Sequence, residues 1–183
     1  MMMTFHKGTA RCVVCIPLLR IVLKLPIIHI RNAFHMFKFG IKVRQLLELL
    51  TCSVYKTYSV KGQLFRGFAE NWNEYRFYLK TKHQFIQPTY FSLFGIVNFQ
   101  KMGNICNLSR TNHWTQIAII TNEQAHADSH HFGEASNFCL EGSVLKILDY
   151  GNPKTQDVVM KFGTIIQEKY DVNFSWEEYK ETM

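Results

Sequence analysis

Between residues 126 and 151 the chain crowds together side chains that titrate or bind metals. The run His126-Ala127-Asp128-Ser129-His130-His131 is followed by Asn137, Glu141 and Asp149-Tyr150-Gly151. Imidazoles and a carboxylate at such spacing suit proton transfer or a transition metal. In an extended segment His126, Asp128 and His130 would project to one side, with His113 or Glu134 available as a further ligand. Asn137 and Asp149 offer the hard oxygens that magnesium prefers. Asp149 also leaves a β-prone run just before a glycine, a position suited to reaching into a cleft. Upstream, Lys56 lies in a β-prone stretch, and Glu70 and Glu74 lie four apart in a helical one.

The elements that must carry these groups follow from periodicity. Residues 137–140 and 144–148 read as a hairpin turned at Glu141-Gly142. Phe68, Trp72, Tyr75 and Leu79 recur at helical spacing, so residues 68–80 are expected to form a helix with that aromatic stripe in the core. Its flank bearing Glu70 and Glu74 is then a solvated face. Residues 91–100 are almost continuously apolar and short, which predicts a buried strand or strand pair. A helix is expected over residues 36–50, a strand over 52–60, a weaker helical pattern over 114–121 and a last helical turn over 176–180. Residues 153–169 carry Val158, Val159, Phe162, Ile165 and Ile166 at helical spacing behind Pro153, a suitable first-turn residue.

Length and charge narrow the function. At 183 residues the chain fits one domain with a tail, and its 47% apolar content supports a sizeable core. The net charge of +7 is concentrated at one end: residues 1–47 hold eight Lys or Arg and no acid. The rest is close to neutral, which argues against a nucleic-acid-binding body. Residues 1–35 therefore read as a basic, apolar N-terminal extension suited to weak contact with a membrane surface. Arg20, Lys24 and Pro26 make that stretch a poor membrane span. Five unevenly spaced cysteines, with a lone Cys12-Val-Val-Cys15 pair, suggest reduced thiols and a cytoplasmic protein.

Taken in order, a strand lysine, a helix glutamate, a buried strand, a polar loop with Asp and Asn, and a strand ending in Asp-Tyr-Gly resemble the protein kinase-like fold, including its aminoglycoside phosphotransferase branch. The resemblance covers about residues 50–151. It implies an α+β fold, with a small antiparallel sheet lobe over residues 36–103 and a reduced helical lobe over 104–183. It implies an ATP- and Mg²⁺-dependent phosphotransferase, or a degenerate relative that binds nucleotide, acting on an unidentified acceptor. Lys56 would be the strand lysine on the phosphates, and Glu74, with Glu70 as the competing choice, its helix partner. Asp128 would be the catalytic base, and Asn137 and Asp149 the magnesium ligands. Two departures stand out. Asn137 lies nine residues after Asp128 where the family has five, and no glycine-rich phosphate loop precedes Lys56. Two other classes stay open: a metal-dependent enzyme built on His126, Asp128 and His130, and a non-catalytic interaction protein.

Overall fold

The computed structural model describes residues 3–8, 10–28 and 65–182. Its architecture is α+β, with two antiparallel sheets and five helices among the described residues. The first sheet has five strands in the order β1-β2-β3-β5-β4. These are β1 (Thr4–Lys7), β2 (Arg11–Ile16), β3 (Ile21–Pro26), β4 (Thr89–Leu93) and β5 (Val97–Lys101).

Residues 4–26 are therefore not an appendage, as their composition suggested; they are three of the sheet's five strands. The β2–β3 hairpin turns through Pro17–Leu19, with Arg20 in the left-handed region at φ 53°. The segment's charges disguised its alternation. Arg11, Val13 and Cys15 share one face of β2, and register pairs Val13 with Lys24 and Cys15 with Val22. Arg11 and Lys24 thus point to the same, inner face of the sheet and are buried there.

Helix α1 (Arg66–Thr81) lies across that inner face. Its buried residues are Gly67, Asn71 and Glu74, whereas Trp72 and Leu79 are exposed. The expected orientation is reversed: the polar stripe faces the sheet and the aromatic stripe faces away. The cause lies outside the helix, because β2 and β3 present two cations that the acidic stripe neutralises. Gly67 allows the close approach. A Cβ there would overlap the Ala10 carbonyl oxygen and Pro26.

The expected strand pair over residues 91–100 is present as β4 and β5, joined through Phe94 and Gly95 at φ 49° and 77°. Its inward residues are again polar, with Thr89, Asn98 and Gln100 fully buried. Phe91 and Phe99 pair on the opposite face, in line with Leu23, Val14 and Phe5 across the sheet.

The second sheet runs β6 (Asn104–Ile105), β7 (Phe138–Glu141), β8 (Val144–Ile147). The β7–β8 hairpin is the expected one, with Gly142 at φ 66° in its turn. An isolated parallel bridge between Ile86 and Ile147 ties this hairpin to the approach to β4. Helices α2 (Arg110–Ile120), α3 (Ser129–Phe132), α4 (Pro153–Lys169) and α5 (Trp176–Glu181) complete the described chain. Helix α4 starts at Pro153 behind an Asn152 cap, whose side chain accepts from the Lys154 N–H. The main core gathers Phe85, Phe132, Phe138, Ile147, Tyr150 and Ile166, all essentially buried. Among the described residues no helix is long and apolar enough to cross a membrane. The helix expected over residues 36–50 and the strand over 52–60 lie outside the described residues.

Candidate functional site

The charges that the sheet and α1 bury converge on one place, beside the turn that follows β8. Lys24 Nζ lies 2.9 Å from each Glu74 carboxylate oxygen and donates to the Leu148 carbonyl at 2.6 Å. Glu74 is fully buried and also accepts from Arg11 Nη1 at 2.8 Å. The same guanidinium bonds the Asn71 side-chain oxygen at 3.3 Å and, through Nη2, the Asp149 carboxylate. Glu70 flanks it, with Oε2 3.7 Å from Arg11 Nε and Oε1 2.6 Å from Arg66 Nε. Asp149 is thus joined to β2 by Arg11 and to α1 through Glu74.

Each partner's presence decides the charge state of the others. Burial pulls the Arg11 guanidinium down in pKa, but Asp149, Glu74 and Glu70 raise it further, so it stays charged. Burial pushes the Asp149 carboxyl up, and Arg11, Lys24 and His131 outweigh this and hold it well below the usual carboxylate range. Lys24 shifts down because its burial exceeds the attraction of Glu74 and Asp149.

The backbone near Asp149 is held from both sides. Gly151 packs against the Glu70 carbonyl, where a Cβ would overlap it, so the glycine is required by the approach of this turn to α1. The Tyr150 hydroxyl donates to the Gln87 carbonyl at 2.7 Å and lies 2.7 Å from Thr89 Oγ1. Gln100 Nε2 donates to the Leu148 carbonyl at 3.0 Å, the same oxygen that Lys24 uses. The side-chain amide oxygen of Gln100, and both side-chain amide atoms of Gln87 toward Gly103 and Cys139, are buried without a hydrogen-bond partner among the described residues. Buried polar atoms of this kind are ordinarily satisfied by water or by a ligand.

The residues singled out from the sequence fall into three groups. Glu74 and Asp149 meet in the cluster, both on Arg11. Lys56 lies outside the described residues, and the lysine that Glu74 pairs with among those described is Lys24. Asp128 and Asn137 form a neighbouring network. Asp128, which is buried, accepts from His131 Nδ1 at 2.8 Å and from the Thr155 hydroxyl. Asn137 donates its amide to the His131 carbonyl at 3.0 Å, and its own carbonyl accepts from the Leu148 N–H at 2.7 Å. His131 links the two networks. Burial lowers its pKa, but its bond to Asp128 and the charges of Asp149, Asp128 and Glu70 raise it above the ordinary imidazole value.

The arrangement of His126, Asp128 and His130 differs from the extended one expected. Residues Gln124–Asp128 form a 3₁₀ turn and Ser129–Phe132 a helix, so the three side chains do not project together. His126 packs edge-on against Trp114, and the imidazole on Asp128 is that of His131. Among the described residues no three His, Cys, Asp or Glu side chains gather as a metal site.

Arg11, Lys24 and Asn71 were not visible as site residues from the sequence; His131 stood in the histidine cluster, but its pairing with Asp128 was not. The available signal was a basic residue at an inward position of an alternating strand, as in Ile21-Val-Leu-Lys24, within a segment that has no acid of its own to pair it.

Fold and site together define a class: an α+β chain whose five-stranded antiparallel sheet buries a strand lysine and arginine against a helix glutamate and a turn aspartate. Comparison with family models, with curated proteins and with solved structures finds no match to this chain.

Proposed function

We propose that this chain is a degenerate kinase-like protein that binds a nucleotide at the Lys24–Glu74–Asp149 cluster without transferring its phosphoryl group. The observation that carries the reading is the Lys24–Glu74 ion pair beside Asp149. Its order of parts agrees with the kinase-like pattern. Among the described residues, an inward lysine stands on the third strand, its glutamate on the next described helix, two more strands come next, and a later hairpin leads into Asp149-Tyr150-Gly151. Lys24 takes the role that the sequence alone assigned to Lys56. The unpartnered side-chain amide oxygen of Gln100, whose Nε2 stands 3.5 Å from Glu74 Oε1, supports a polar ligand beside the cluster.

Transfer is disfavoured by the commitments of Asp128. A general base must reach the acceptor hydroxyl and take its proton. Both Asp128 oxygens are instead engaged, one by His131 and one by Thr155.

Thermal unfolding of the full chain with ATP tests the reading. A ligand at a hundredfold excess over its Kd adds about 2.7 kcal/mol of stability, so the midpoint should rise by several degrees. The rise should vanish in Lys24→Met, and no phosphoryl transfer to added acceptors should follow. A flat midpoint at millimolar ATP refutes the proposal. A second reading, a non-catalytic interaction protein, draws on the sheet's outer face, where Phe5, Phe91 and Leu93 are exposed. That reading expects no response to ATP.

A further inference from the structure

We infer that the Arg11 guanidinium holds the place of a divalent cation at Asp149, so that the cluster takes a nucleoside polyphosphate free of magnesium. The inference rests on the nucleotide reading above for its ligand, but its cation argument stands on the residues alone.

Magnesium demands a near-octahedral set of oxygens and usually takes one or two protein carboxylates. In the donor set implied by the kinase-like resemblance, Asn137 and Asp149, a cation already stands on the aspartate. Asp149 Oδ1 already accepts from Arg11 Nη2. Asn137 donates its side-chain N–H to the His131 carbonyl, so Oδ1 is the one oxygen it offers. Glu74, the other carboxylate on Arg11, is taken by Lys24 through both oxygens. A dication at Asp149 would sit against a guanidinium and close to an ammonium, and like charges at such range repel strongly in a buried site.

Arg11 is suited to the substitution. Its side chain is 6% exposed, and its position on the inner face of β2 is set by sheet register. A guanidinium stays charged throughout the working pH range and carries five N–H donors in a fixed plane. Three of them serve Asn71, Glu74 and Asp149. The Nε–H faces Glu70 Oε2 at 3.7 Å, and one Nη2 hydrogen has no hydrogen-bond partner among the described residues, which leaves a donor for a phosphate oxygen. Arg66 balances Glu70 at 2.6 Å, so that carboxylate does not oppose an incoming anion alone.

The test uses the full chain in two arms. In the first, ATP is titrated by calorimetry in EDTA and again in excess Mg²⁺. Affinities that agree within about twofold are expected. Affinity at least tenfold better with Mg²⁺ overturns the inference while leaving the nucleotide reading intact. No binding in either buffer removes the nucleotide reading, and the second arm then decides the cation argument. In that arm Mn²⁺ alone is titrated and followed by electron paramagnetic resonance. The wild-type chain should show no Mn²⁺ site that depends on Asp149, and Arg11→Gln should gain one that Arg11→Gln/Asp149→Asn loses. A wild-type Mn²⁺ site abolished by Asp149→Asn overturns the inference. That comparison needs only the wild type and Asp149→Asn, so it holds even if Arg11→Gln does not fold.

Discussion

Replacing Glu74 by alanine tests the buried charge cluster most severely. The carboxylate is fully buried and accepts from Arg11 Nη1 at 2.8 Å and from Lys24 Nζ at 2.9 Å. Thr89 Oγ1 and Gln100 Nε2 stand further off, at 3.3 and 3.5 Å. Its removal leaves Lys24 with the Leu148 carbonyl and Arg11 with Asp149 and Asn71. Removing one partner of a buried ion pair costs about 3–5 kcal/mol, because the remaining charge stays desolvated. The gain in helix propensity from glutamate to alanine is only a few tenths of a kcal/mol and does not offset this. For a chain of this size each kcal/mol moves the melting midpoint by about 2–4 °C, so the expected fall is roughly 10 °C. Circular dichroism at the α-helical band would follow it. Glu70→Ala is the matched control. Glu70 pairs with the 35% exposed Arg66 and stands 3.7 Å from Arg11 Nε, beyond hydrogen-bonding range, so its loss should cost less than that of Glu74. Changing Lys24→Met together with Glu74→Leu removes both charges and should recover part of the loss. A Glu74→Ala midpoint within about 2 °C of wild type, or a loss no larger than that of Glu70→Ala, would refute the reasoning.

Further outcomes follow from neighbouring contacts. His113 is buried, with Nδ1 2.6 Å from the Tyr170 hydroxyl and Nε2 3.0 Å from the Phe132 carbonyl. The ring fits as a neutral tautomer, Nε2–H donating and Nδ1 accepting, and burial lowers its pKa to about 4. The unfolded chain then binds a proton near pH 6.5 that the folded chain refuses. Stability from this group is complete above that pH and falls between pH 6.5 and 4, by about 3 kcal/mol in all. Denaturant melts across that range should show the slope, and His113→Gln should flatten it. Gly67→Ala drives a Cβ into the Ala10 carbonyl and Pro26 and should cost about 1–3 kcal/mol by thermal melting. Tyr150→Phe leaves the Gln87 carbonyl only the longer bond from Gln100 Nε2 at 3.4 Å and should cost about 1 kcal/mol.

How much of this could be read in the chain depends on where each element's partner lies. The β7–β8 hairpin, helix α4 and the strand pair of β4 and β5 were legible because their turns, caps and periodicity are local. The cap on α4 is one residue from Pro153, and the hairpin turn carries its own glycine. The site was half legible. Glu74 and Asp149 stood out as carboxylates, but their cations did not. Arg11 and Lys24 look like solvated charges in an apolar terminal segment until sheet register turns them inward. The same register reverses α1. Hydrophobic periodicity favoured burying Trp72 and Leu79, yet neutralising two desolvated cations outweighs that preference and brings Asn71 and Glu74 to the sheet. The pairing of His131 with Asp128 escaped notice for a local reason. The turn at Gln124–Asp128 and the helix after it bring position 131, not 126 or 130, to Asp128.

The central claim is that nucleotide phosphates meet the cluster around Lys24. An ATP analogue carrying an acyl-phosphate group acylates amines that lie next to its phosphates, and peptide mapping then identifies the lysine modified. The account predicts labelling at Lys24 that is suppressed by excess ATP and lost in Lys24→Met. Labelling confined to other lysines, or labelling at Lys24 that ATP does not suppress, would contradict it.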